Sequence, residues 1–244
     1  MTAKTKFELS YNNVSLKDNA VYAIVVAAGS FMRMGGVNKQ LAEICGIPVV
    51  IRSLLAFENS PYISGIVLVV REPDALIMQN LCEKYSISKL KDIVCGGKDR
   101  HESVMNGIKT LPKEEKNVLI HDGARPCVTS KIIAEVAEGL SVADAAVCVI
   151  KVNDTVKYSG DGEYVEKTVD RARLYLAQTP QGVNVSKYID ACSKLSSEEF
   201  TDDASIMEQA GYAVKATLGS VKNIKITTVE DIKIAEMYIK GDEE

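Results

Sequence analysis

Two cationic side chains follow a glycine-containing turn near the start of the chain. Residues 27–35 are AAGSFMRMG, which includes Arg33, and Lys39 comes four residues later. Small residues after a strand let backbone N–H groups approach a phosphate, and fixed positive charge stabilises negative charge that develops on it. The segment therefore predicts a polyphosphate site. The alternative is an ordinary strand-to-helix turn with two solvated cations.

The glycine spacing of this turn differs from two common phosphate-binding motifs. The chain contains no Gly-x-x-x-x-Gly-Lys-Ser/Thr, so a P-loop is excluded. It also lacks Gly-x-Gly-x-x-Gly, the dinucleotide-binding fingerprint. A different class of nucleotide-binding loop is therefore indicated.

A carboxylate ends another apolar strand, predicted over residues 117–121. Asp122 follows it in the segment HDGARP. Mg²⁺ bound with a nucleotide takes one or two protein carboxylates and completes its shell with phosphates and water, so Asp122 is the predicted metal ligand. The alternative is that Asp122 caps the next turn. His121 is adjacent, but at the end of a buried strand it is more typical of a packed, hydrogen-bonded side chain than of a general base.

A third polar segment, GGKDRHESV, precedes a predicted helix at about 101–110. Gly96 and Gly97 allow the backbone to contact a planar base, and Ser103 offers a hydroxyl one turn into the helix. Arg100 is placed to reach a phosphate or an internal carboxylate. A Gly-Gly turn is weak evidence alone and gains weight beside the other two segments.

Strand and helix patterns alternate along the chain, which predicts an α/β fold with a doubly wound, mostly parallel Rossmann-like sheet. The carboxyl ends of parallel strands meet at one edge, where such sheets bind ligands. Segments 27–39, 96–103 and 122–126 all fall at that edge, so we expect one shared site. Predicted strands cover 21–27, 65–71, 92–95, 117–121, 145–152, 174–177, 213–218 and 223–226. Predicted helices cover 48–58, 73–85, 101–110, 130–139, 185–195, 202–210 and 229–238.

The alternation breaks at about 153–171, where two short β segments flank the sequence SGDG. This predicts a protruding hairpin arm with strands at 155–158 and 163–168. An isolated two-stranded hairpin is barely stable in water, so we expect it to pack on something, a second subunit being the natural candidate. The alternative is a hairpin folded back on its own domain. Arg171, at one foot, offers a fork suited to a phosphate monoester, or else pairs with Asp170 at the surface.

Bulk composition limits the classes of function. The 244 residues carry a net charge of −4, which argues against a broad nucleic-acid surface. The chain has no apolar run long enough for a membrane span, and its six cysteines lack metal-site spacing. Reduced thiols suggest a cytoplasmic protein. We expect an N-terminal extension over 1–20 and a single domain over 21–244.

Eight segments in order resemble one enzyme family, the 2-C-methyl-D-erythritol 4-phosphate cytidylyltransferases of the non-mevalonate isoprenoid pathway. The resemblance covers roughly 21–239. The segments are AAGSFMRMG with Lys39, GGKDRHESV, HDGARP, NDTVK, TVDR, QTPQ, TDDAS and NIKITT. One departure is Phe31, which stands where the family's signature has its second glycine.

The resemblance implies transfer of CMP from CTP to 2-C-methyl-D-erythritol 4-phosphate, with release of pyrophosphate. It also implies a divalent metal, Mg²⁺, and a homodimer in which the hairpin arm brings Arg171 to the neighbouring site. Arg33, Lys39, Arg171 and Lys225 would be catalytic. CTP would contact Ala27, Ala28, Gly29, Gly97, Ser103 and Gly123, the methylerythritol phosphate would contact Thr155, Arg171, Thr179 and Lys225, and Asp122 would bind the metal.

Three alternatives stay open at this stage. Ribitol-5-phosphate cytidylyltransferases share the fold and the CTP loop, although HDGARP favours the methylerythritol type. A sugar-1-phosphate nucleotidyltransferase that uses another nucleotide is disfavoured by GGKDRHESV and TVDR. A catalytically silent nucleotide-binding module would follow if Phe31 blocked the triphosphate.

Overall fold

A computed structural model describes residues 20–29, 38–195 and 200–242. The strands are β1 (Val21–Val26), β2 (Glu43–Ile44), β3 (Ile47–Pro48), β4 (Ile63–Val70), β5 (Leu90–Cys95), β6 (Asn117–Asp122), β7 (Ala145–Lys151), β8 (Val156–Tyr158), β9 (Lys167–Val169), β10 (Tyr175–Asn184) and β11 (Val214–Leu218). The helices are α1 (Val49–Glu58), α2 (Ala75–Lys84), α3 (Arg100–Ile108), α4 (Ser130–Gly139), α5 (Val185–Lys194), α6 (Asp203–Gln209) and α7 (Val229–Asp242).

Seven of these strands form the central sheet, in the order β11-β7-β10-β6-β1-β4-β5. The pairs β1/β4, β1/β6, β4/β5 and β7/β11 are parallel, whereas β10 is antiparallel to both β6 and β7. The predicted α/β class with a mostly parallel sheet is confirmed. Because β10 runs against its neighbours, its first half lies at the edge where β6 and β7 end.

Helices cover both faces of the sheet, so its strands are apolar on both sides. Alternate residues of β1 face opposite cores: Ile24 packs with Val104 of α3, while Val25 packs with Leu54 of α1. Helices α1, α2 and α4 cover one face, and α3, α5 and α6 cover the other. This buried frame holds the carboxyl ends of β1, β5 and β6 in fixed positions relative to one another.

The strand predicted over 174–177 is longer than expected. In the structure β10 continues to Asn184, with an irregularity in its pairing to β7 between Ala177 and Gln181. The sequence QTPQG is typical of a turn because Pro donates no backbone hydrogen bond and Gly favours turns. The bulge accommodates these residues inside the sheet instead, and the Thr179–Pro180 peptide is cis.

Two further predictions of strands need correction. The segment 223–226 is not a strand but a loop. A backbone hydrogen bond of 2.8 Å from Ile226 N to Ala124 O joins this loop to the site. In the hairpin, β9 begins at Lys167 rather than 163, and residues 159–166 form the connecting loop. Asp161 organises this loop by accepting hydrogen bonds from Glu163 N at 2.9 Å and Tyr164 N at 3.0 Å.

The helices agree with the sequence prediction to within a few residues at their ends. The 130–139 helix is α4, and Pro48 caps α1 rather than starting it. Residues 73–74 belong to a short 3₁₀ turn before α2, and α7 extends beyond 238. Over the residues that the structure describes, no helix has the length and apolar character needed to cross a membrane.

Candidate active site

Three backbone hydrogen bonds tie the predicted site segments to the ends of neighbouring strands. Ala27 N donates to Val69 O at 2.7 Å, and Gly96 N donates to Val70 O at 2.7 Å. Gly123 N donates to Val26 O at 2.9 Å. The three segments therefore lie side by side at the carboxyl edge of β1, β4, β5 and β6. Arg33 and Phe31 fall in 30–37, outside the described residues.

Close packing fixes the Gly96–Gly97 turn against the end of β1. A Cβ placed on Gly96 would lie 2.4 Å from the Ala28 Cβ and 3.0 Å from Ser103 Oγ, so only glycine fits. A Cβ on Gly97 would lie 2.3 Å from Glu102 Cγ. A Cβ on Gly29, in contrast, would meet no atom of the described residues within 4 Å.

The start of α3 holds this turn through its own polar side chains. Asp99 caps the helix by accepting from Glu102 N at 2.8 Å. Ser103 Oγ accepts from Gly97 N at 3.0 Å and donates to Asp99 O at 2.7 Å. The Ser103 hydroxyl thus orders the loop, and it lies beside Gly97, the other residue of this segment predicted to contact CTP.

Lys39 lies in the turn that follows residues 30–37. It is half-buried, and the adjacent Gln40 is only 2% exposed. A Cβ on Gly123 would lie 3.2 Å from Gln40 Oε1 and 3.3 Å from the Ala27 Cβ. The predicted residues Ala27, Lys39 and Gly123 therefore belong to one region.

Asp122 lies at the centre of a group of charged side chains at this edge. Lys225 Nζ lies 2.7 Å from Asp122 Oδ2, Arg100 Nε lies 3.4 Å from Oδ1, and Arg125 Nε lies 3.9 Å from Oδ2. Burial by itself would raise the pKa of the Asp122 carboxyl, but the charges of Arg100, Lys225 and Arg125 outweigh it and hold that pKa well below its usual value. Asp122 is therefore a carboxylate throughout the physiological pH range.

This carboxylate fits the predicted role of a magnesium ligand. It is ionised, it ends a rigid strand, and only 8% of the residue is exposed. Across the described ranges, no group of three or more His, Cys, Asp and Glu residues is arranged to hold a metal ion. A metal at Asp122 would thus take its other ligands from phosphates and water, as Mg²⁺ commonly does. The Lys225 ammonium, with its side chain 41% exposed, has room to turn from Asp122 toward a phosphate.

The loop that carries Lys225 is fixed by a buried amide network. Gln178 Nε2 donates to Ser220 O at 2.9 Å, and Asn223 Nδ2 donates to Thr179 O at 2.9 Å. Arg125 Nη1 donates to Asn223 O at 2.7 Å. Strand β10 thereby positions a lysine that is 46 residues further along the chain than Thr179. Arg125, for which the sequence predicts no individual role, links Asp122 to this loop.

Arg100 joins the glycine turn to a second buried carboxylate. Its Nη2 lies 2.6 Å from Asp203 Oδ2, at the first residue of α6, while Tyr188 OH donates to Asp203 Oδ1 at 2.9 Å. Burial opposes its charge, yet Asp203 and Asp122 outweigh burial and raise the pKa of the Arg100 guanidinium. Of the two predicted partners for Arg100, the structure supplies the internal carboxylate. Asp203, in the TDDAS segment, is 103 residues from Arg100, so this ion pair becomes visible only in the folded structure.

Thr179 and His121 form the inner wall behind Asp122. Asp122 N donates to Thr179 Oγ1 at 3.0 Å, and Thr179 Oγ1 lies 3.1 Å from His121 Nδ1. His121 is fully buried, and its ring packs 4.9 Å from that of Phe57. Burial lowers the pKa of His121 to about 3, although the neighbouring Asp122 opposes this shift. The prediction of a packed, hydrogen-bonded histidine is confirmed.

The two site residues predicted on the hairpin do not join this group. Arg171 donates a hydrogen bond to Asn153 O, at the other foot of the arm, and Asp170 instead accepts from Ala172 N at 3.0 Å. Within the described part of the chain, neither Thr155 nor Arg171 forms a hydrogen bond or ion pair with the strand-end residues. Both are exposed on an arm that projects from the sheet.

Comparisons with known proteins identify the family. A sequence model of the 2-C-methyl-D-erythritol 4-phosphate cytidylyltransferases matches residues 21–241. The chain belongs to this family. It is therefore a cytidylyltransferase, and the family and enzyme class predicted from the eight segments are confirmed. Curated cytidylyltransferases from Syntrophus aciditrophicus and Halalkalibacterium halodurans are 40% and 41% identical to it, over 91% of this chain and 97% and 98% of their own lengths.

Solved structures of cytidylyltransferases share the fold as well. The crystal structure of 4-diphosphocytidyl-2C-methyl-D-erythritol synthase from Anaerococcus prevotii superposes with a TM-score of 0.82 at 31% identity. That likeness covers 93% of this chain and all of the other. The site at the ends of these strands thus lies in a chain whose fold matches that of a cytidylyltransferase over nearly the whole chain.

Proposed function

We propose that the edge site around Asp122 transfers CMP from CTP to 2-C-methyl-D-erythritol 4-phosphate. The products are 4-diphosphocytidyl-2-C-methyl-D-erythritol and pyrophosphate, in isoprenoid precursor biosynthesis. The observation that carries this proposal is the meeting of three segments, the turn after β1, the Gly96–Gly97 turn and Asp122, on one sheet edge. Family membership supports the reaction, and the meeting of the three segments supports its location.

The nucleotide would lie over the glycine turns. The lack of any described atom within 4 Å of a Cβ on Gly29 and the close packing of Gly96 on Ala28 support backbone contacts to CTP at residues 27–29. Gly97 and Ser103, already hydrogen-bonded to each other, would receive the base and ribose, with Gly123 beside them. Arg33 and Lys39 would stabilise the charge that develops at the α-phosphate.

Asp122 would hold Mg²⁺ as its single protein carboxylate. When bound, the metal supplies electrostatic stabilisation of the phosphates. The ammonium of Lys225, released from Asp122, would then contact the phosphate of the second substrate. Thr179 would contact the same substrate from the wall behind Asp122.

The chemistry requires positioning and charge rather than a strong base. The substrate phosphate, largely ionised at neutral pH, attacks the α-phosphorus of CTP, the bond to pyrophosphate breaks, and pyrophosphate leaves. His121 does not serve as a base in this scheme because both ring nitrogens are engaged inside the protein. Arg100 forms ion pairs with both Asp122 and Asp203 and thereby holds the nucleotide turn next to Asp122.

The hairpin would act in a homodimer. Tyr164 and Val165 at its tip are 74% and 62% exposed, and Tyr175 and Leu176 at its base are 49% and 54% exposed. An apolar surface of this kind on a small arm favours burial against a second copy. Thr155 and Arg171 would then serve the site of the neighbouring subunit.

We propose further that residues 1–20 are an extension to a single domain over 21–244, with the arm at about 153–171. A cytoplasmic location is supported by six free cysteines, of which Cys82 and Cys148 are buried. Burial raises the pKa of Cys82 to about 11, so this thiol is inert at neutral pH.

Pyrophosphate release from the purified protein tests the function directly. The assay supplies CTP, Mg²⁺ and 2-C-methyl-D-erythritol 4-phosphate, with ribitol 5-phosphate in a parallel reaction. We expect release with the methylerythritol substrate and little with ribitol 5-phosphate. Release with ribitol phosphate alone would assign the sister activity. A folded protein that is silent with both would point to Phe31 and favour a catalytically silent nucleotide-binding module.

A further inference from the structure

His121 lies between two hydrogen-bond partners of different kinds. Its Nε2 is 3.3 Å from Arg125 O, and its Nδ1 is 3.1 Å from Thr179 Oγ1. A carbonyl oxygen only accepts, so Nε2 carries the proton. In the neutral ring Nδ1 then accepts, and its partner, the Thr179 hydroxyl, must donate. The direction of both hydrogen bonds is thus set by the carbonyl of Arg125.

The Thr179 hydroxyl is committed on its other side as well. Its oxygen accepts from the backbone N–H of Asp122 at 3.0 Å, and Thr179 is only 5% exposed. The chain of bonds therefore runs from Asp122 N through Thr179 Oγ1 and the His121 ring to Arg125 O. Each member fixes the next, and the chain starts and ends on the main chain around Asp122.

We propose that His121 is a positioning residue which, through the Thr179 hydroxyl, fixes the main chain that presents the Asp122 carboxylate. This deepens the proposed function and rests on it. A consequence concerns the substrate. The Thr179 hydroxyl donates its proton to His121 and accepts one hydrogen bond from Asp122 N, so its oxygen keeps one free lone pair. That lone pair accepts a hydrogen bond from a substrate hydroxyl. The Thr179 hydroxyl has no second proton to donate to the substrate phosphate, and an ionised phosphate has no proton to donate to Thr179.

The hydrogen-bond directions can be tested without any catalytic assay. The chain has only two histidines, His101 and His121, so ¹⁵N-histidine labelling gives two imidazole spin systems. Loss of one spin system in His121→Asn assigns it. We expect His121 as a neutral ring protonated at Nε2 only, with and without CTP and Mg²⁺. Protonation at Nδ1 would reverse the Thr179 bond and overturn the proposal.

Two carboxamide variants separate the two bonds of the ring. The amide of His121→Asn lies near the position of Nδ1 and can keep the Thr179 hydroxyl in place. The amide of His121→Gln lies near the position of Nε2 and can keep the bond to Arg125 O. If Thr179 is the functional link, Asn retains kcat within a fewfold of the original protein, while Gln lowers it about tenfold.

The Thr179 variants complete the test. Thr179→Val removes the hydroxyl at nearly constant shape, and we expect kcat to fall about tenfold. Thr179→Ser keeps the hydroxyl and rescues activity. The double variant with His121→Gln should be no worse than Thr179→Val alone, because the two residues act as one unit. The KM for the sugar-alcohol phosphate should change less than twofold in His121→Gln, which leaves the Thr179 hydroxyl in place.

Opposite outcomes would overturn the proposal. A large rise in KM for the phosphate substrate in Thr179→Val, with kcat unchanged, would make Thr179 a direct phosphate ligand. Multiplicative losses in the double variant would show that the two side chains act independently. An original protein without cytidylyltransferase activity would sink the proposed function, whereas the imidazole spectrum would still report the hydrogen-bond chain.

Discussion

The balance of charges around Asp122 determines which substrates this site attracts. One carboxylate has Lys225, Arg100 and Arg125 around it, an excess of positive charge that suits a polyphosphate substrate. The buried wall behind it is neutral, because burial keeps His121 uncharged. Negative substrates are thus attracted from the open side only, and no titrating base lies within the wall.

Lys39 provides the first prediction at this scale. Lys39→Ala removes a cation from the turn beside Gly123, and we expect kcat to fall on the order of 100-fold because the charge acts mainly on the transition state. Steady-state kinetics with varied CTP measure this. Lys109→Ala, an exposed lysine immediately after α3, is the matched control and should be neutral. An unchanged kcat in Lys39→Ala would remove its catalytic role.

His121 makes stability depend on pH. Its pKa is about 3 in the folded protein and about 6.5 in the unfolded chain, so the unfolded state takes up a proton first as the pH falls. The contribution is fully present above about pH 6.5 and is lost toward pH 3. Between pH 7.5 and 5 the original protein should lose about 2 kcal/mol more unfolding free energy than His121→Asn.

Urea titrations of both proteins at the two pH values measure that difference. The comparison cancels His101 and the carboxyl groups, since both proteins carry them. Equal losses in the two proteins would mean that His121 is protonated in the folded state, contrary to its burial.

At the scale of elements, the alternation of strands and helices was enough to place Asp122 and the two glycine turns at one edge. Parallel strands bring their carboxyl ends together whatever their order in the sheet. The contribution of β10 was not predictable in this way, because a Pro and a Gly inside a buried antiparallel strand look like a turn. Arg100 and Asp203 meet only because α3 and α6 cover the same face of the sheet, which no local pattern encodes.

The glycine turns differ in what they require. Gly96→Ala would force a Cβ to within 2.4 Å of the Ala28 Cβ, so we expect a loss of roughly 1–3 kcal/mol in stability and weaker CTP binding. Gly29→Ala meets no atom within 4 Å among residues 20–29, 38–195 and 200–242, so stability should be kept while the KM for CTP rises. Thermal unfolding and CTP titration of the two variants separate these effects. Normal CTP affinity in Gly29→Ala would move the nucleotide away from this turn.

At the scale of the whole molecule, the predicted site residues fall into two separate groups, one at the sheet edge and one on the arm. Asp122, Lys225 and Thr179 meet at the edge, whereas Thr155 and Arg171 lie on the exposed hairpin. Sequence resemblance placed both groups in one site, and a single subunit brings only the first group together. We propose that a second copy of the chain completes the set, with each arm reaching the partner's edge.

Mixing two inactive variants tests this arrangement. Arg171→Ala lacks the guanidinium group at the foot of the arm, and Asp122→Asn lacks the carboxylate at the edge. If arms serve the neighbouring site, a mixed dimer has one intact site, so random exchange of subunits restores about a quarter of the original activity. If each arm serves its own subunit, every site keeps one defect and activity stays absent. Arg173→Ala, in the same short 3₁₀ turn as Arg171, is the matched control and should be active before mixing.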